Sequence, residues 1–144
     1  MKILFVCEGN INRSQMAATV LKALQPKLDV SSAGTLVPKE LEGKPVSSAS
    51  QRGIEYMKKV GYDMSEHVMR RLTPQMIEEA DRVILAGPTP GGALPRFLLN
   101  TPKLERWNVP DPGWGHCTVE AARDMIIEEV QKLVGTLQNR KKTK

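Results

Sequence analysis

The chain has 144 residues, 40% hydrophobic and 26% charged, with a formal net charge of +5; this is the balance of one globular domain with enough length to bury a core. No apolar run approaches the length that spans a bilayer. Two cysteines, Cys7 and Cys117, are too few for a disulfide scaffold, and no Cys-x-x-Cys or His/Cys cluster marks a metal centre.

Only Lys2 precedes the apolar run Ile3 to Val6, which is too short for a secretory leader, so the expected address is the cytoplasm with no membrane partner. Part of the positive charge lies in Arg140, Lys141, Lys142 and Lys144. Residues 139–144 read as a solvated, frayed basic tail following a single domain over 1–138, rather than as a nucleic-acid contact. A basic balance favours anionic substrates through long-range attraction.

In chain order, Lys2 to Val6 is an apolar run without alternation, which predicts a buried strand ending at Cys7. Ser14 to Leu24 sets Ala17, Val20, Leu21 and Leu24 at helical spacing, and Pro26 stops it. Leu28 to Ala33 predicts a second strand that ends at Gly34. Thr35 to Lys44 has no period and reads as a loop. Pro45 to Gly61 predicts one helix, with Val46, Ala49, Gly53, Ile54, Met57 and Val60 on a face. Thr73-Pro74 opens a short helix with Ile77 and Ala80 inward. Arg82 to Ala86 predicts a third strand, and Gly87 to Gly92 a loop. Ala93 to Leu99 predicts a short helix interrupted at Pro95. Lys103 to Val109 predicts a fourth strand, followed by the rigid turn Pro110-Asp111-Pro112-Gly113. Thr118 to Leu137 is the longest helix, with Ala122, Ile126, Val130, Leu133, Val134 and Leu137 inward.

Strands alternating with helices imply right-handed crossovers. The expected fold is α/β: a three-layer, flavodoxin-like arrangement with a four-stranded parallel sheet and helices on both faces. In such sheets the site lies at the carboxyl ends of the strands. Cys7 follows the first strand and Asp111 the fourth, so both fall on one edge.

The loop Cys7 to Ser14 carries the chemistry. Backbone N–H groups from Glu8 to Arg13, curling into a helix start, make a nest for a tetrahedral oxyanion. Gly9 relieves steric limits within it. Arg13 adds a planar fork for two oxyanion oxygens. The same positive field favours a thiolate at Cys7, and Ser14 can donate to it. A thiolate beneath a bound phosphate is set for in-line attack that gives a phosphocysteine. The leaving oxygen then needs an acid on the opposite side, and Asp111, fixed between two prolines, is the candidate. Taken singly, Cys117 reads as a bystander, and His67 and His116 read as structural rather than catalytic. Trp107 reads as core, Trp114 as core or pocket wall, and the methionines as helix faces that imply no cofactor.

CEGNINRS followed by QMAA, then SSAG, then the PDP turn, resembles the low-molecular-weight protein-tyrosine-phosphatase superfamily, which includes thiol-dependent arsenate reductases of the same fold. The resemblance covers essentially the whole chain. It implies a metal-free, cofactor-free phosphatase with Cys7 as nucleophile, Arg13 as phosphate ligand and Asp111 as general acid. It implies a phosphate-binding loop of Glu8, Gly9, Asn10, Ile11, Asn12, Arg13 and Ser14. Behind that loop it implies a supporting network of Asn10, Ser14, Ser32 and His67. It also implies a phosphorylated protein or small phosphomonoester as substrate, and phosphate, sulfate or arsenate as the oxyanion held.

The chain departs from that pattern at several points. Asn12 stands where these phosphatases usually have a second, protective cysteine. Gln15 stands where they have proline, and RSQMA is closer to the arsenate reductases. Those reductases carry resolving cysteines beyond the third strand, where this chain has Ala86 and Gly87. Ile11 fits an aryl-phosphate loop, whereas phosphoarginine phosphatases favour threonine there. Gly113 and Trp114 stand where tyrosines often wall the pocket. Glu8, beside the nucleophile, is expected to weaken anion binding or to select a basic substrate. The readings are therefore a phosphotyrosine-type phosphatase, an arsenate reductase using an external thiol, and a non-catalytic phosphate-binding module.

Overall fold

The computed structural model describes residues 1–142, with side chains through residue 138. Four strands, β1 (Lys2–Cys7), β2 (Asp29–Gly34), β3 (Arg82–Leu85) and β4 (Leu104–Arg106), form one parallel sheet in the order β2-β1-β3-β4. β1 lies centrally, registered Lys2↔Asp29 through Cys7↔Gly34 on one side and Ile3↔Arg82 through Val6↔Leu85 on the other.

Both faces of β1 are covered, which is why its sequence shows no polar alternation. Ile3, Phe5 and Cys7 point into one core cluster, with Met16 and Val20 of α1 (Arg13–Leu24), Ile54 and Met57 of α2 (Arg52–Lys58), and Ile126 and Val130 of α5 (Val119–Lys142). Leu4 and Val6 point into a second cluster, with Ile77 of α3 (Pro74–Glu79) and Leu98 of α4 (Arg96–Leu99). The expected three-layer α/β fold is the one observed.

Several boundaries differ from the sequence expectation. The helix expected over Pro45 to Gly61 is a 3-10 turn, Val46–Ser48, followed by α2. The Val46 amide donates to His67 O at 2.7 Å, and the Ser50 hydroxyl accepts from the Arg52 amide at 3.3 Å. A serine that binds a nearby amide competes with the helical ladder and restarts it. α4 begins only after Pro95, which has no amide to give. β4 is short, yet Trp107 N still donates to Leu85 O and Val109 N to Ala86 O, at 2.8 and 3.1 Å. The chain thus tracks β3 as far as the Pro110–Gly113 turn. α5 starts where Thr118 Oγ1 accepts from Ala121 N at 3.0 Å. The basic tail expected at 139–144 falls on side chains outside the described residues. Among the described residues, no helix is long and apolar enough to cross a membrane.

Because all strands run the same way, Cys7, Gly34, Gly87 and the Pro110–Gly113 turn emerge together along one edge of the sheet.

Candidate active site

Cys7 ends β1 and is buried, and two groups face its sulfur. Ser14 Oγ lies 3.0 Å from Sγ, and Asn10 N donates to it at 3.3 Å. Donors aimed at sulfur stabilise negative charge there. Asn10 makes this geometry possible. It has φ 55, the one positive-φ residue other than glycine among those described, and asparagine tolerates that region. The steric relief assigned to Gly9 thus belongs to Asn10; a Cβ at Gly9 would meet only Ile11 carbons at ordinary contact distance.

Asn10 also anchors the loop from behind. Its Nδ2 donates to Ser14 Oγ at 2.7 Å and to Ser32 Oγ at 3.0 Å, and its Oδ1 accepts from Arg70 N at 2.8 Å. Gln15 Nε2 reaches Asn10 O, Asn10 Oδ1 and Val68 O at 3.1, 3.1 and 2.9 Å. His67 Nδ1 sits 3.3 Å from both Gln15 Oε1 and Thr19 Oγ1. Burial pushes this imidazole below its usual value, with Asp63 pulling the other way. The four supporting residues are therefore brought together, but His67 joins through Gln15. Gln15 was noted in the sequence only as a departure from pattern. Its signal is a polar residue in the first turn of a helix whose residues from Arg13 to Leu21 are all buried.

Arg13 is 2% exposed. A buried guanidinium must have its donors satisfied. Nη1 donates to Pro88 O and Val109 O, both at 2.9 Å, and Nη2 donates to Asp111 Oδ2 at 3.2 Å. Both carbonyls come from loops at the strand ends, so no side-chain pattern announces them. Gly87 is required for this seat. A Cβ there would stand 1.9 Å from Val109 O and 2.7 Å from Arg13 Nη1. Asp111 is fixed from the other side by Gly113 N, which donates to Oδ1 at 2.8 Å.

Cys7, Glu8, Gly9, Ile11, Asn12, Arg13, Asp111, Gly113 and Trp114 line one pocket of about 170 Å³. Residues from the first strand end and the fourth thus converge. A larger concavity, about 720 Å³, lies behind the loop against Gln15, Ser32, His67 and Arg70 and does not reach Cys7. Glu8 does not stand free beside Cys7. Oε1 accepts from Gly91 N, and Oε2 accepts from Trp114 Nε1 at 2.7 Å. Asn12 packs toward α2, with its Oδ1 buried and without a hydrogen-bond partner among the described residues. Cys117 is half-buried, with Sγ 3.6 Å from Pro110 O. Burial pushes its thiol up, opposed by Arg13 and reinforced by Asp111.

Residues 2–143 match the family described as low molecular weight phosphotyrosine protein phosphatase. A probable low molecular weight protein-tyrosine-phosphatase, EpsP, of Ralstonia nicotianae is 39% identical over 144 residues, covering 92% of this chain and 92% of that one. Arsenate reductase 1 of Staphylococcus haemolyticus is 31% identical over 137 residues, covering 94% of this chain and 96% of that one. Among solved structures, Vibrio vulnificus Wzb in complex with benzylphosphonate superposes with a TM-score of 0.74 at 27% identity, over 94% of this chain and 97% of that one.

Proposed function

The chain belongs to the low molecular weight phosphotyrosine protein phosphatase family, and on that premise we propose that it hydrolyses phosphotyrosine or a related phosphomonoester through a phosphocysteine at Cys7. The convergence of Cys7, Arg13 and Asp111 on one small pocket carries this reading.

The Cys7 thiolate attacks phosphorus in line with the leaving oxygen. An S–P bond forms as the P–O bond to the leaving group breaks, and Asp111, entering as the carboxylic acid, gives that oxygen its proton. Arg13 exchanges its contact with Asp111 for the phosphoryl oxygens, and with the loop amides it holds the equatorial charge. In the second step water attacks phosphorus while the Asp111 carboxylate takes its proton. The S–P bond breaks, inorganic phosphate leaves, and the thiolate returns against Ser14 Oγ and Asn10 N. The sum is ester plus water to alcohol plus phosphate. Ile11 and Trp114 in the lining give an aryl group apolar surface, which favours aromatic phosphates over alkyl ones. The cytoplasm is the compartment proposed, because the mechanism needs Cys7 reduced.

Hydrolysis of p-nitrophenyl phosphate by wild type and Cys7→Ser tests the reading. Turnover is expected in the first and none in the second. Full turnover by Cys7→Ser sinks the mechanism, and phosphate binding without turnover by wild type identifies a binding module instead.

Similarity to an arsenate reductase along 94% of the chain supports one second reading, reduction of arsenate with an external small thiol. The chain has no cysteine between Cys7 and Cys117, which argues against an internal relay. Thiol-dependent arsenite formation without aryl phosphate hydrolysis would favour this reading over the first.

A further inference from the structure

Resting on the hydrolase reading, we infer that Glu8 is a positioning residue that holds Trp114, and with it the Asp111 turn, at the mouth of the pocket. It thereby sets affinity for the aryl part of the ligand. Glu8 follows the nucleophile, is 6% exposed, and touches three other loops of the strand-end edge. Its backbone carbonyl accepts from Leu36 N at 2.8 Å. Its carboxylate accepts from Gly91 N and from Trp114 Nε1.

Trp114 is 55% exposed, so packing alone does little to fix its indole. The bond from Nε1 to Glu8 Oε2 supplies the missing constraint. Gly91 completes the junction. A Cβ there would stand 2.8 Å from Trp114 Cζ2 and 2.9 Å from Glu8 Oε1. The indole edge and the carboxylate both press on a position that admits no side chain.

The chemistry at the junction selects a carboxylate. Two N–H donors face residue 8, and only a carboxylate offers each an oxygen; a glutamine would turn its NH₂ toward one of them. The negative charge itself opposes the bound anion by Coulomb repulsion. Its presence at the edge of a phosphate nest is explained by the geometry it enforces.

Calorimetric titration of wild type, Glu8→Gln and Glu8→Asp with benzylphosphonate and with inorganic phosphate tests this without needing turnover. Glu8→Asp keeps the charge and loses the reach, while Glu8→Gln keeps the reach and loses the charge and one acceptor. The preference for benzylphosphonate over phosphate should fall about tenfold in both, the scale of losing a charge-assisted hydrogen bond. Phosphate affinity alone should change less than benzylphosphonate affinity in Glu8→Asp, and it should rise in Glu8→Gln. A Glu8→Asp protein with wild-type preference would overturn the proposal, because Glu8 would then act by charge. Equal loss of both ligands in both variants would also overturn it, because Glu8 would then be holding the loop itself. Failure of wild type to turn over p-nitrophenyl phosphate would remove the hydrolase reading and leave the binding comparison standing.

Discussion

In the proposed mechanism three side chains divide the labour at the smallest scale. Cys7 has the Asn10 amide and the Ser14 hydroxyl on its sulfur, Arg13 gives three of its five N–H donors to two carbonyls and one carboxylate, and Asp111 is pinned by the Gly113 amide. Removing the proposed acid should lower kcat/KM, which reports the step that expels the leaving group, for a poor leaving group such as phenol by about 10²–10⁴-fold, the usual worth of general acid catalysis. A good leaving group should be affected far less, since it departs without a proton. Comparing kcat/KM of Asp111→Asn on phenyl phosphate and p-nitrophenyl phosphate checks this, and equal losses of kcat/KM on both would remove Asp111 from the role. His67 makes a separate prediction. Burial holds its imidazole below the ordinary value of 6.5, so the unfolded chain takes up the proton first as pH falls. His67 therefore leaves stability intact above that value and subtracts from it as pH drops toward and through the folded value. Between about pH 7 and pH 5.5 the Tm of wild type should fall more steeply than that of His67→Gln, and parallel slopes would contradict it.

At the level of elements, the loops are held by close approach more than by their own conformations. Gly87 is the sharpest case, because the carbonyl of Val109 occupies the space a Cβ would need. Gly87→Ala should force the end of β3 from the chain after β4, unseat Arg13 and cost about 1–3 kcal/mol of stability. Urea unfolding together with phosphate titration measures both effects; a stable variant with unaltered phosphate binding would contradict the seat described for Arg13. This is also where sequence reading reached its limit. The strands and α1 were legible because a doubly covered strand must be continuously apolar and a buried helix must repeat every three to four residues. Pro45 to Gly61 was misread as one helix because Ser50, which restarts the ladder, carries no apolar signal. Gly87 read only as a loop glycine, since its meaning lies in a carbonyl from another strand.

Across the whole molecule, parallel topology turns scattered motifs into a site. Every strand end falls on one edge, so Cys7 and Asp111 meet although most of the chain lies between them. That meeting was readable from strand order and the two motifs. The Glu8–Trp114 contact was not, because two polar-capable residues far apart in sequence give no sign of pairing until a fold sets them together. The central claim is that chemistry passes through sulfur at Cys7. Rapid-quench mass spectrometry of Asp111→Ala with p-nitrophenyl phosphate tests it most directly, since loss of the base slows hydrolysis of the intermediate. The expected result is a phosphoryl adduct on Cys7 that forms with the first burst of nitrophenol and decays with turnover. Release of nitrophenol through repeated turnovers with Cys7 unmodified throughout would contradict it.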